Sequence, residues 1–140
     1  MSARLPLLLA LAALLAVPAV AFGATKHGIT PTSPKAGSTI PVGQGVTMKG
    51  RVKGPGKVFI HVCKSKRKDS TGVICDDADI KQARKRNGRF TAKLKFFDFD
   101  AFWLNNPGTY YWQAFRIHCV AGSDLSDCNQ EGPVVRFKVG

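Results

Sequence analysis

Four cysteines, three histidines, a scatter of aspartates and two dense runs of lysine and arginine are the side chains of this sequence that could do chemistry. The cysteines stand at 63, 75, 119 and 128, in the spacings C-x11-C and C-x8-C. Structural zinc takes its thiolates in pairs separated by about two to four residues, and thiol redox catalysis takes C-x-x-C. Neither spacing is present, so neither a metal site nor a redox site is read here. Hydrolysis through serine or cysteine needs a histidine beside the nucleophile and a carboxylate to orient it, yet no G-x-S-x-G elbow occurs. His61 and His118 therefore read as exposed members of adjacent strands. His27 admits a sharper reading: a mature chain starting at Thr25 would place a free amine and a third-position histidine in a geometry that suits square-planar copper or nickel. Phe22 would then stand where export processing wants a small residue, and no methionine-histidine cluster supports copper, so no cofactor is assigned.

Asp76, Asp77 and Asp79, with Asp98 and Asp100, offer oxygens to calcium. Calcium asks for about six or more ligands from a shaped loop, and D-D-x-D without a following glycine and glutamate is not an EF-hand loop. These acids read instead as partial neutralisation of nearby lysines. Glycosidase chemistry needs two carboxylates across a cleft, and no such pair can be placed, so the chain reads as a non-enzyme. The basic residues remain: Lys64, Lys66, Arg67 and Lys68 at one end of a long polar stretch, and Lys81, Arg84, Lys85, Arg86 and Arg89 at the other. Charge runs are ordinarily solvated faces. The functional reading is attraction for a polyanion such as wall teichoic acid, acidic polysaccharide or extracellular DNA. No aromatic is interleaved between Lys64 and Arg89. Base stacking is therefore unsupported, and nucleic-acid binding would be salt-sensitive and blind to sequence.

The elements that must hold these residues begin with an export signal at 1–21: Arg4, an apolar run from Leu5 to Val17, and a small-residue stretch ending Ala19-Val20-Ala21. Pro6 and Pro18 interrupt the apolar run too early for a comfortable membrane span of about 20 residues, so membrane attachment would come only through an uncleaved signal. Removing residues 1–21 from the 140 leaves 119, which suits one domain with one core. Removing Arg4 with them lowers the net charge from +12 to +11, an excess that favours acidic surfaces without specifying one. Four cysteines in an exported chain read as two disulfides.

Residues 22–45 form an extended lead-in, and prolines confine Ile29 to Ser33 to a sheet edge. Residues 46–140 make up the remainder of one domain. Val46, Met48 and Val52 alternate with Thr47, Lys49 and Arg51, the pattern of a half-buried strand. Val58, Ile60 and Val62 repeat that pattern over Lys57 to Cys63. Lys64 to Gly88 reads as a long charged loop carrying at most a short extra strand or helical turn. Phe90, Ala92, Leu94 and Phe96 point inward from Arg89 to Phe97, and Asp98 to Asn106 has no clear period. Pro107-Gly108 is a turn signal that launches Thr109 to Cys119, the strand densest in aromatics and placed at the centre of the fold. One of its faces carries Tyr110, Trp112 and Ala114, the other Tyr111, Phe115 and Ile117. The face outside the core needs a cover, for which Phe97 to Leu104 is the natural candidate. Val120 to Gly132 is polar and turn-like, and Pro133 to Val139 closes the chain with Val135, Phe137 and Val139 inward. Short, evenly spaced strands with Gly/Pro turns imply a β-sandwich of about seven strands.

The segments L-N-N-P-G-T-Y-Y-W-Q-A and V-V-R-F-K-V resemble the last two strands of fibronectin type III and related immunoglobulin-like modules on bacterial secreted proteins. The resemblance implies an all-β, immunoglobulin-like antiparallel sandwich with Tyr110 or Tyr111 as its corner tyrosine, and such modules carry no common catalytic residues. Ser33-Pro34 followed by Gly37-Ser38-Thr39 also resembles the start of exported copper carriers of immunoglobulin-like fold. In the seven-strand order, Cys63 and Cys119 end neighbouring antiparallel strands and so lie at opposite poles. A disulfide needs Cα atoms within roughly 7 Å, which leaves Cys63–Cys75 and Cys119–Cys128 as the expected pairs. Each closes a loop worth roughly 2–3 kcal/mol in the chain-entropy picture.

Together these readings make the chain a secreted or cell-envelope, non-catalytic adhesion, binding or structural module. Its partner is unspecified; a cell-envelope polyanion or a surface protein fits, and sequence-specific nucleic-acid binding does not. Polyanion binding through 64–89 is the first alternative function, and a small hydrolase or copper-binding protein the next.

Overall fold

A computed structural model describes residues 23–64, 66–68, 74, 79–94, 106–124 and 128–140. Eight strands appear in chain order: β1 (Ile29–Ser33), β2 (Thr39–Ile40), β3 (Val46–Val52), β4 (Lys57–Cys63), β5 (Asp79–Arg86), β6 (Arg89–Leu94), β7 (Gly108–Ile117) and β8 (Asn129–Val139). They hydrogen-bond in the order β1-β3-β6-β5-β4-β7-β8-β2. The sheet curls into two layers because β5 changes partner along its length: its first half, from Asp79 to Ala83, pairs with β4, and Arg84 to Arg86 pair with β6. One layer is β1-β3-β6, the other β4-β7-β8 with β2 at its rim. This is the immunoglobulin-like and fibronectin III-like strand arrangement, with β1, β3 and β6 as the A, B and E strands and β4, β7 and β8 as C, F and G. The eighth strand beyond the expected seven is β2, two residues running parallel to β8 in the register Thr39↔Lys138 and Ile40↔Val139.

The core between the layers is built by period-two alternation. Val46, Met48 and Val52 from β3 meet Val58, Ile60 and Val62 from β4, with Phe90, Ala92 and Leu94 from β6 and Tyr110, Trp112 and Ala114 from β7. Val135, Phe137 and Val139 complete it from β8. Each large side chain fully withdrawn from water contributes about 1.5–3 kcal/mol. Trp112 is the largest of these, and its indole Nε1 donates to the Pro34 carbonyl at 3.3 Å. Tyr110 is the corner tyrosine: its hydroxyl donates to the Asn106 carbonyl at 2.8 Å, and burial raises its pKa above the ordinary value.

Proline and glycine sit where the ladder allows them. Pro31 lies on β1, the edge strand, as its missing N–H requires. Gly132 and Pro133 occupy a bulge in β8, where two of its residues stand opposite the single β7 residue between Gln113 and Phe115. β8 therefore begins at Asn129, earlier than the turn-like reading of 120–132 allows.

The basic stretch before Gly88 is the clearest departure from expectation. Residues 79–86 are an eight-residue strand rather than part of a loop. Asn87 and Gly88, with φ of 49° and 68°, form the two-residue turn that returns the chain into β6. The inward positions of β5 are Lys81, Ala83 and Lys85, opposite Ile60, Val58 and Phe90, so only one of them advertises a core face. Lys85 tolerates its position because its ammonium reaches the carbonyls of Gly54 at 2.6 Å and Gly56 at 3.2 Å.

Candidate functional site

The β5–β6 hairpin shapes the candidate site. A two-residue turn fixes Arg86 opposite Arg89 and Arg84 opposite Thr91, and residues two apart on a strand share a face. Arg84, Arg86, Asn87, Arg89 and Thr91 accordingly line one open depression of about 580 Å³. Its lining offers guanidinium, amide and hydroxyl donors. It contains neither a carboxylate nor a histidine, so it can hold an anion but has no group that titrates near neutrality to move a proton.

The nine basic residues singled out in the sequence do not form one cluster. Arg84, Arg86 and Arg89 come together in the depression. Lys85 is turned away to the Gly54 and Gly56 carbonyls, and Lys81 stands half-buried opposite Ile60. Lys64, Lys66, Arg67 and Lys68 are exposed at the far end of β4, since Cys63 pairs with Tyr111 whereas Lys57 pairs with Ile117. Seven residues of strand, about 20 Å, separate the two ends. Lys64 Nζ lies 5.9 Å from the centre of the Tyr110 ring, and Lys68 bridges to Ile74. Sequence reading did not connect Lys49, Arg51 and Lys93 with the hairpin. All three are exposed on the outer face of the same layer.

The histidines are dispersed. His61 is 7% exposed, which corrects the expectation of an exposed His61–His118 pair. It faces Gln113 in register, lies edge-on to Phe115 at 4.5 Å between ring centroids, and directs Nδ1 to the Ile74 carbonyl at 3.4 Å. His118 is exposed beyond the end of β7. His27 Nδ1 donates to the Glu131 carbonyl at 2.9 Å, beside an ion pair between Lys26 and the Glu131 carboxylate. Burial alone would raise the Glu131 pKa, but the Lys26 hydrogen bond, a backbone hydrogen bond and the Lys26 and His27 charges together hold it below the ordinary value.

The outer face of β7 is covered at Gln113 and Phe115, which are buried, whereas Ile117 is exposed; Ile74 is a described part of the cover. Ile74 is fully buried and its N–H donates to Gln113 Oε1 at 3.0 Å. The cover expected from the sequence, 97–104, lies outside the described residues, as do the signal at 1–21 and Asp76, Asp77, Asp98 and Asp100. Cys119 and Cys128 form a disulfide with Cα atoms 4.4 Å apart. Cys63 is disulfide-bonded too, while Cys75, the partner expected for it, lies outside the described residues.

No protein-family model matches the chain, and no curated protein matches it in sequence. Among solved structures, fibronectin(III)-like modules of CbhA from Clostridium thermocellum are similar at 20% identity and a TM-score of 0.46, over 79% of this chain and 93% of that one. A chain of the complex of Dpr1 IG1 bound to DIP-eta IG1 is similar at 16% identity and a TM-score of 0.31, over 79% of this chain and 92% of that one.

Proposed function

We propose that this chain is an exported, non-catalytic binding module that holds polyanions of the cell envelope through its β5–β6 hairpin. The observation that carries the proposal is the lining of the depression: three arginines, an asparagine and a threonine, with no acid and no histidine. A guanidinium stays protonated at any physiological pH and presents a planar fork that pairs with two oxygens of one phosphate, sulfate or carboxylate at a time. Such a lining favours retention of an anion over its chemical conversion. Export is supported by the signal layout of residues 1–21 and by the Cys119–Cys128 disulfide, since such bonds persist in oxidising compartments. The second staple, Cys63–Cys75, belongs to the same proposal.

Salt-gradient elution of the mature domain from heparin resin tests the reading. The triple variant Arg84→Ser, Arg86→Ser, Arg89→Ser should elute at clearly lower salt than wild type. Elution of the two at the same salt would show that the hairpin is not the contact.

A further inference from the structure

The three arginines of the depression are one part of a larger array. Arg86 on β5 stands opposite Arg89 on β6, which in turn stands opposite Arg51 on β3. One step along the strands, Arg84 stands opposite Thr91 and Thr91 opposite Lys49. A further step places Lys93 opposite Thr47. The intervening positions, Met48, Gly50 and Val52 on β3 and Phe90 and Ala92 on β6, are buried. Lys49, Arg51, Arg84, Arg86, Arg89 and Lys93 therefore project from one outer face, and all six are exposed. Neighbouring strands lie about 4.8 Å apart and alternate residues about 6.7 Å apart, so the six cations form a compact grid.

This grid costs the folded chain something. Like charges directly opposite on paired strands are destabilising, and Arg86, Arg89 and Arg51 make an uninterrupted row of three. None of the six is ion-paired to a described residue; Glu131, an acid whose side chain is described, is engaged by Lys26 at another place. An anion laid across the row would relieve the repulsion and gain bidentate contacts at once.

Among the described residues, the other outward side chains around the grid include Thr30, Ser33, Thr47 and Thr91, which are hydrogen-bonding groups without ring faces. Polymers of bases are gripped by stacking as well as by charge, and these positions offer no aromatic for that purpose. What the face can read is closely spaced negative charge on a chain flexible enough to follow two rows. Resting on the polyanion reading above, we propose that the outer face of β3-β6-β5 binds a linear phosphodiester polymer without rings in its backbone, of the poly(glycerol phosphate) type. Lys49, Arg51 and Lys93 are contacts equal in standing to the hairpin arginines. Simultaneous engagement makes the polymer, rather than a single phosphate, the ligand.

The test measures binding of the mature domain to a fluorescent poly(glycerol phosphate) oligomer across a salt series, with heparin and oligo(dT) as competitors. Six contacts on a single-stranded polyanion give a slope of log affinity against log salt of about −4, at about 0.7 per contact. The double variant Lys49→Ser, Arg51→Ser, which leaves the hairpin intact, should shallow that slope by about 1.4, and Lys93→Ser alone by about 0.7. Lys35→Ser with Lys138→Ser removes equal charge from exposed positions elsewhere and should leave the slope as in wild type. A β3 double variant that behaves like this control would overturn the extended face while leaving hairpin binding in place. Absence of wild-type binding to all three polymers would instead remove the polyanion reading itself. Tighter binding of heparin or oligo(dT) than of poly(glycerol phosphate) would overturn the assigned ligand class in favour of sulfated polysaccharide or nucleic acid.

Discussion

Replacing Gln113 by leucine should unlatch Ile74 from the outer face of β7 and weaken the whole domain. Gln113 is fully buried; its Oε1 accepts from the Ile74 N–H at 3.0 Å, and its Nε2 donates to the Gly132 carbonyl at 2.8 Å. One amide thus ties together Ile74, β7 and the β8 bulge. Leucine has a similar volume but offers neither a donor nor an acceptor. Ile74 is itself fully buried, so its orphaned N–H has no route to water unless Ile74 moves. A buried polar group left unpaired costs about 1–3 kcal/mol, which gives about 2–6 kcal/mol for the two groups before any relaxation. Burying an apolar side chain in place of an amide returns about 1 kcal/mol. With a urea dependence of about 1–3 kcal/mol per molar, the unfolding midpoint should fall by about 1–2 M. Intrinsic fluorescence follows the unfolding, because Trp112 is wholly buried in the folded state, and amide exchange at Ile74 reports the latch directly. Gln113→Glu supplies a pH-sensitive partner variant. Its carboxylate still accepts from Ile74 but sets an oxygen against the Gly132 carbonyl, so it should be less stable when ionised than when protonated. A leucine variant with a midpoint within about 0.3 M of wild type and an unchanged Ile74 exchange rate would refute the latch.

Gly50→Ala should cost about 1–3 kcal/mol, because a Cβ there would strike the Phe90 ring and lie 2.7 Å from the Thr30 carbonyl; a double variant with Phe90→Leu should lose less than the sum of the two changes, checked by denaturant unfolding. The Glu131 ion pair makes stability pH-dependent with a definite sign. Its folded pKa lies below the ordinary 4.5, so its contribution is fully present above 4.5 and is lost as pH falls through the folded value. Glu131→Gln should remove that part of the acid slope in a melting series through this range, and an identical slope in both proteins would exclude the pair as its source.

How far residue order alone carries depends on what alternation reports. It reports which face a side chain takes, and on that question β3, β6 and the end of β8 from Val135 to Val139 were legible position by position, because apolar and polar residues trade places there and only one face meets the core. It does not report what lies across from a face. His61 falls outside the core layer as its odd phase implies, yet it is buried, because Ile74 arrives over it from thirteen residues away. Inside the core layer, Lys85 hides the strand character of β5, since the Gly54 and Gly56 carbonyls that make a lysine tolerable there sit about thirty residues earlier. The Asn87-Gly88 pair was the one local sign of that strand, and reading it would at once have set Arg86 against Arg89. Arg51 is different in kind. It joins the row only through the pairing of β3 with β6, a contact between strands separated by the whole of β4 and β5. A cationic face assembled from three strands is therefore written in the register between them. Composition could announce the charge but not its arrangement, and it is the arrangement that separates a binding surface from a solvated one.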